Sequence, residues 1–152
     1  MVTAKDIMTK NVITIDENMK VYELIELLAE KSISGVPVIN KQKELVGIVT
    51  KSDIMGFFLD FEIDLNIKIG LKDILEFKHE KSEAEITPER DMEIRKIMSI
   101  NPVTATEDTP IEELAKIMVD RRIHRIIIMK DKSITGIVSP LDLLRFIAGR
   151  KQ

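Results

Sequence analysis

The chain has 152 residues, of which 44% are hydrophobic and 32% charged, and its formal net charge is -3. This composition is typical of a soluble globular protein, and the acidic balance argues against a general nucleic-acid-binding surface. The chain contains no cysteine, which excludes disulfides and thiolate chemistry. No apolar run reaches the roughly 18 residues of a membrane span and no signal-peptide core follows residues 1–5, so we expect a cytoplasmic protein without membrane contact.

The first part of the chain predicts an alternation of short helices and strands. Residues 3–6 have the Thr-x-x-acid pattern of a helix start and open a turn that ends near Met8. The pattern then predicts a strand at 11–15, a helix at 21–31 with an apolar face, and strands at 35–39 and 45–50. Thr50 or Ser52 then caps a closing helix that runs through Ile54 and Phe58.

Residues 59–92 form an insert that has two competing interpretations. Apolar and polar residues alternate strictly over 61–69, which is the period of a half-buried strand, and a short amphipathic helix at 71–75 would follow. A further helix would start at Thr87-Pro88 and run into 97–98. Alternatively, one long helix continues from Ile54, because propensity alone does not exclude it. The insert could pair with a second chain or cover a cleft.

The last part of the chain predicts the same order of elements. A strand at 103–105 precedes a full helix start, in which Thr109 caps, Pro110 takes the first helical position and Glu112 reaches back. Strands at 126–129 and 134–139 and a closing helix at 141–148 complete the chain. Short apolar strands that alternate with helices predict an α/β fold, whose sheets are covered by helices.

The two parts also share sequence, which indicates an internal duplication. Ile-Met-Thr at 7–9 recurs 90 positions later as Ile-Met-Ser at 97–99, and residues 47–53 recur 89 positions later at 136–142. A unit of about 60 residues buries too little surface to be stable alone. We therefore expect the two copies to pack against each other and to form sites at their junction.

Each copy carries a hydroxyl and a carboxylate three residues apart, where its third strand meets its closing helix. The pairs are Thr50 with Asp53 and Ser139 with Asp142. A hydroxyl and free backbone N–H groups at a helix start can bind phosphate or ribose oxygens, and a carboxylate can accept both hydroxyls of a ribose. The same pattern is also that of a simple capping box. Because both copies would face one junction, the repetition weakens the capping interpretation.

The repeat resembles the CBS domain, and the chain as a whole resembles a tandem CBS pair, or Bateman module. The resemblance is carried by residues 7–9 with 12–14, by Ser-Gly-Val-Pro-Val at 34–38, by 47–53, and by the counterparts at 97–104, 124–128 and 136–142. It implies two β-α-β-β-α repeats at 2–58 and 93–149, related by a pseudo-twofold axis and separated by the insert. It also implies two clefts for adenosine-containing ligands such as AMP, ADP, ATP or S-adenosylmethionine, and commonly a homodimer.

The resemblance assigns residues of both repeats to each cleft. Cleft 1 would contain Ile48, Thr50, Asp53, Met98, Val103, Ile123, His124 and Arg125. Cleft 2 would contain Met8, Val12, Ile13, Ile33, Ser34, Gly35, Ile137, Ser139 and Asp142. The pair His124-Arg125 matches a pair that contacts phosphate in AMP-binding members, whereas the equivalent pair, Ser34-Gly35, carries no charge. We therefore expect phosphate-bearing nucleotides in cleft 1, and weak binding or a less anionic adenosyl ligand in cleft 2.

The sequence does not combine these clefts with a catalytic or metal-binding pattern. His124 lacks a nucleophile and an orienting group, and there is neither a metal-spaced His or carboxylate cluster nor a Walker loop. We predict a regulatory sensor, not an enzyme, that requires no cofactor, binds an adenosine nucleotide as regulatory ligand and acts on an effector protein. The alternative is a dimerisation scaffold with degenerate clefts. A nucleic-acid-binding regulator has only the Lys/Arg-rich chain ends in its favour.

Overall fold

The computed structural model of the chain describes residues 1–65 and 91–149, and of residues 60–65 it describes the backbone. The first repeat contains helix α1 (Ala4–Ile7), strand β1 (Ile15–Asp16), helix α2 (Val21–Glu30), strands β2 (Gly35–Ile39) and β3 (Leu45–Thr50), and helix α3 (Lys51–Leu65). The second repeat begins with a 3-10 helix (Ile94–Lys96) and strand β4 (Ser99–Ile100). It continues with strand β5 (Thr104–Thr106), helix α4 (Ile111–Arg121), strands β6 (Ile126–Lys130) and β7 (Ser133–Val138), and helix α5 (Pro140–Ile147).

The central helix of each repeat forms because its apolar residues recur at helical spacing. Val21, Leu24 and Leu28 of α2 are buried, as are Leu114 and Met118 of α4. The first turn contains Glu23 in α2 and Glu112 and Glu113 in α4, where the positive end of the helix dipole favours acidic side chains. Packing of this apolar face on the sheet supplies most of the stability of helices that are this short.

The strands within 1–65 and 91–149 form two small sheets, and the second repeat contributes a strand to the first sheet. Their strand orders are β1-β2-β3-β4 and β5-β6-β7. In each sheet a parallel pair is followed by an antiparallel hairpin, β2-β3 or β6-β7. Strand β4 pairs with β3 through Ser99 and Ile100. The reciprocal contact is a bridge between Thr9 and Ile137, with N–H···O distances of 3.0 and 3.1 Å.

Each repeat completes its core with the leading segment of the other repeat. Ile94 is fully buried in the core of the first repeat, and its N–H donates to the Met19 carbonyl at 2.8 Å. Ala4, Ile7 and Met8 are buried in the core of the second repeat. The leading segments are thus exchanged between the repeats, so that each core contains side chains of both.

The predicted α/β fold class is confirmed, and the helix at 21–31 and the strands at 35–39 and 45–50 are found within one residue of the predicted bounds. Thr50, not Ser52, takes the capping position, because Ser52 lies inside α3. None of the helices in 1–65 and 91–149 has the length and apolar content needed to cross a bilayer.

The predicted strand at 61–69 is wrong for 61–65, because α3 continues through Leu65. Extending an existing helix adds one hydrogen bond for each residue fixed. This gain outweighs the preference for a strand that the alternation of apolar and polar residues indicates. The competing interpretation of a helix continued from Ile54 therefore holds as far as Leu65. The remainder of that strand, the helix at 71–75 and the start at Thr87-Pro88 lie outside the described residues.

Three further predictions need correction. The strand at 11–15 is reduced to β1, and 97–98 follow a 3-10 turn instead of ending a helix. Thr109 does not cap α4: Pro110 is the N-cap residue, and the Thr109 hydroxyl accepts a hydrogen bond from the Thr106 N–H at 3.1 Å. The turn between β5 and α4 thus uses the hydroxyl that the helix start was expected to use.

Candidate ligand-binding clefts

Both predicted carboxylates belong to capping boxes at the start of the closing helices. The N–H and hydroxyl of Thr50 donate to Asp53 Oδ2 at 2.7 and 2.8 Å. The N–H and hydroxyl of Ser139 donate to Asp142 Oδ2 at 2.7 and 2.6 Å. The box engages Oδ2 of each carboxylate, so capping and ligand binding through Oδ1 are compatible functions of one side chain.

The second carboxylate oxygen has a different neighbour in each repeat. Asp53 Oδ1 accepts a hydrogen bond from the Ser99 hydroxyl at 3.3 Å, across the junction between the repeats. Asp142 Oδ1 lies 3.7 Å from Arg145 Nη1 on the same helix, and the equivalent of Arg145 in the first repeat is Gly56. Asp142 is 6% exposed, whereas Asp53 is half-buried. The Asp53 carboxylate thus contacts the opposite repeat through Ser99.

Arg125 lies at the boundary between the repeats. Its Nη2 donates a hydrogen bond to the Ser34 hydroxyl, and its Nε would lie 3.1 Å from a methyl group added at Gly35. Burial lowers the pKa of the Arg125 guanidinium, and the nearby Asp53 carboxylate raises it. A guanidinium stays charged at neutral pH in either case. The structure thus brings a half-buried cation close to the Asp53 carboxylate and to Gly35, the first residue of strand β2.

A shallow cavity, part of it open to solvent, lies beside strand β2 between the two repeats. Its walls are Thr9, Asn11, Val12, Ile13, Ile33, Gly35, Val36, Pro37 and Ile137. None of these side chains carries a formal charge, and most are apolar.

This cavity brings together five residues predicted for cleft 2, which are Val12, Ile13, Ile33, Gly35 and Ile137. Four others do not line it: Met8 packs against Gly136, Ser34 contacts Arg125, and Ser139 with Asp142 forms the capping box. The sequence analysis missed the lining residues Thr9, Asn11, Val36 and Pro37. Thr9, Val36 and Pro37 belong to the motifs at 7–9 and 34–38, and Asn11 directly precedes the motif at 12–14, so these motifs could have indicated all four.

The residues predicted for cleft 1 are only partly brought together. Thr50, Asp53 and Arg125 lie close to one another, and Met98 packs on Gly47 next to Ile48. Val103 and Ile123 pack against the core of the second repeat, and His124 is exposed. Among the residues in 1–65 and 91–149, no group of three or more His, Asp or Glu side chains could hold a metal ion.

Solved structures with a similar fold include pairs of CBS domains. The CBS domain pair of protein MJ0100, in complex with 5′-methylthioadenosine and S-adenosyl-L-methionine, superposes with a TM-score of 0.72 at 26% identity over 99% of this chain and 98% of that one. CBSX2, in complex with AMP, gives a TM-score of 0.72 over 97% of this chain and 96% of that one. At 20% identity, CBSX2 shows the shared fold alone.

The sequence comparisons point to the same family. MJ1426, an uncharacterised protein of Methanocaldococcus jannaschii, is 34% identical over 92% of this chain and 88% of its own length. Other relatives are longer, and the chain spans only 32 to 42% of three of them. The model of the CBS domain matches residues 4–60 and 94–149. The chain therefore belongs to the CBS domain family and is a tandem CBS pair.

Proposed function

We propose that the protein is a regulatory module without catalytic activity, which binds adenosine-containing ligands between its CBS repeats at 2–58 and 93–149 and requires no cofactor. The observation that carries this proposal is a partly open cavity that residues of both repeats line, Ile13 and Ile33 from the first and Ile137 from the second. Its location at the junction gives a single ligand contact with both repeats. The MJ0100 pair, 26% identical to this chain, was crystallised with two adenosine derivatives, which supports the ligand class.

Cleft 2 has the chemistry of a site for an adenosyl ligand with little negative charge. The walls formed by Ile13, Ile33 and Ile137 are apolar and suit the faces of a purine ring. An anionic tail buried against these walls would lack a charged partner among the lining residues, and burying an unpaired charge is costly. We therefore assign to this cleft a ligand such as 5′-methylthioadenosine, whose tail is uncharged.

Cleft 1 has the groups for an adenosine phosphate. The planar guanidinium of Arg125 offers paired donors to phosphate oxygens. Asp53 Oδ1 accepts a hydrogen bond from the Ser99 hydroxyl, and a ribose hydroxyl that replaces Ser99 would donate to the same oxygen. AMP, ADP and ATP share these two features, and we propose that cleft 1 binds members of this group through Asp53 and Arg125.

Regulation requires that the ligand bind two states of the protein with different affinity. A ligand held by residues of both repeats, such as Ile13 and Ile137, favours one relative arrangement of the repeats over others. We propose that an effector protein or a second copy of the chain responds to this arrangement. Dimerisation itself stays a prediction from the family.

Calorimetric titration of the full chain with AMP and with 5′-methylthioadenosine tests the assignment. We expect Arg125→Ala to weaken AMP binding by roughly tenfold or more, because a hydrogen bond to a charged group is lost. The affinity for 5′-methylthioadenosine should fall by a smaller factor. Arg121→Ala is the matched control, since it removes the same charge from an exposed position at the end of α4.

Two outcomes would contradict the proposal. If neither compound binds or raises the melting temperature, the clefts are degenerate and the scaffold alternative is correct; a ligand at 100 times its Kd adds about 2.7 kcal/mol of stability. If Arg125→Ala leaves AMP affinity unchanged while Ser34→Ala abolishes it, the assignment of the anionic ligand to cleft 1 is wrong.

A further inference from the structure

One hydrogen bond joins the two clefts. Arg125, which lies close to Asp53 of cleft 1, donates from Nη2 to the Ser34 hydroxyl. Ser34 stands between Ile33 and Gly35, and both of these residues line the cavity of cleft 2. The side chain that we assign to phosphate binding in cleft 1 therefore forms a hydrogen bond with the wall of cleft 2.

Gly35 makes this contact possible. A methyl group at position 35 would lie 3.0 Å from Thr50 Cγ2 and 3.1 Å from both Arg125 Nε and the Val49 carbonyl oxygen. These distances are shorter than ordinary van der Waals contact, so a side chain here would displace Arg125 or Thr50. Because Gly35 has no side chain, the Arg125 stem can cross the first residue of β2 and reach Ser34.

A bound anion would compete with Ser34 for the guanidinium. A phosphate attracts the guanidinium by its negative charge and can accept two parallel hydrogen bonds from it, whereas the Ser34 hydroxyl is a single neutral acceptor. The guanidinium is half-buried and its stem lies against Gly35, so it has little room to contact Ser34 and an anion at the same time. An anion bound near Asp53 would therefore replace Ser34 as the partner of Arg125.

We propose that the Arg125–Ser34 hydrogen bond couples the two clefts negatively, an inference that rests on the function proposed above. An adenosine phosphate in cleft 1 removes Arg125 from Ser34, loosens the wall at 33–35 and weakens binding of a neutral adenosyl ligand in cleft 2. By thermodynamic linkage, a neutral ligand in cleft 2 weakens phosphate binding in cleft 1 by the same factor. The protein would then respond to the ratio of the two ligands.

Titrations of the full chain with 5′-methylthioadenosine, at a series of fixed AMP concentrations, test this coupling. We expect the apparent Kd for 5′-methylthioadenosine to rise by roughly fivefold or more and then to level off as AMP saturates cleft 1. Ser34→Ala should abolish the rise while both ligands still bind. Ser34→Thr, which keeps the hydroxyl, is the matched control and should retain the rise.

The other outcomes separate the coupling from the function. An apparent Kd that rises in proportion to AMP without limit means that both ligands share one cleft, and this overturns the coupling. Independent binding, or an unchanged effect in Ser34→Ala, also overturns the coupling but leaves the proposed function intact. Failure of both ligands to bind overturns both proposals.

Discussion

Met98 of the second repeat lies directly against Gly47 of the first. A methyl group added at Gly47 would be 2.7 Å from Met98 Sδ and 2.9 Å from the Ser99 carbonyl oxygen. The related contact places Met8 on Gly136, where an added methyl group would be 2.7 Å from Met8 Cγ. In both cases a glycine in the third strand accommodates the methionine of the other repeat's leading segment.

Alanine at either glycine should destabilise the protein. We expect Gly47→Ala and Gly136→Ala each to lower the free energy of unfolding by about 1–3 kcal/mol, because overpacking displaces the methionine or the strand. Gly56→Ala is the control: the space at Gly56 in α3 is open, so alanine should stabilise by up to about 1 kcal/mol through helix propensity. Urea denaturation measures the free energy of unfolding of all three variants. Equal stability of Gly47→Ala and the original protein would contradict the close packing of the segments.

The exchanged segment at 92–98 should contribute strongly to the stability of the first repeat. Ile94 is 0% exposed, so Ile94→Ala should cost about 2–5 kcal/mol through lost burial and a residual cavity. Ile100→Ala is the control, because Ile100 is 68% exposed and its truncation should change stability by less than about 0.5 kcal/mol. Similar effects of the two substitutions, measured by urea denaturation, would show that 92–98 does not complete this core.

The capping box of α5 should matter more than its nearby ion pair. Asp142→Ala removes the acceptor of the Ser139 N–H and hydroxyl, and we expect a loss of about 1–3 kcal/mol. Arg145→Ala should cost less than about 1 kcal/mol, because Arg145 is exposed and its contact with Asp142 is long, at 3.7 Å. Thermal and urea unfolding compare the variants. A larger loss from Arg145→Ala than from Asp142→Ala would reverse the ranking.

Acid should destabilise the start of α1 through Asp6. The Thr3 N–H donates to Asp6 Oδ2 at 2.8 Å, and this hydrogen bond lowers the pKa of Asp6 below its ordinary value of 3.8. A lowered pKa in the folded state means that the contribution is complete above 3.8 and is lost as the pH falls through the folded-state pKa. Asp6→Asn should therefore lose less stability between pH 5 and pH 3 than the original protein, as measured by urea unfolding at each pH. An identical pH dependence would exclude this role.

The elements that local periodicity defines were predictable from the sequence. The helix at Val21–Glu30 and the strand at Leu45–Thr50 follow from helical spacing and from a continuous apolar run bounded by polar turns. The extent of the strand predicted at 11–15 was not predictable, because strand pairing depends on residues that are distant in the sequence. Only Ile15 and Asp16 pair, with Val38 and Ile39, whereas Val12 and Ile13 line the cavity. An extended segment that faces a cavity has the same composition as one that joins a sheet.

The site was predictable in its residue types but not in its contacts. The repeat motif identified Asp53 and Arg125, and the structure places them close enough for Asp53 to raise the Arg125 pKa. The hydrogen bond from Arg125 to Ser34 joins residues 91 positions apart, and nothing local indicates it. The length of α3 was equally undetermined, since the pattern at 61–65 suits a strand and a helix alike.

The exchange of leading segments also sets an order of events during synthesis. The edge of strand β3 at Gly47 and Ile48 is covered by Ile100 and Ser99, which leave the ribosome some fifty residues later. An uncovered strand edge can pair with other chains, so the nascent first half is the stage most vulnerable to aggregation. Chaperones that shield exposed edges would act there, before the second half has emerged.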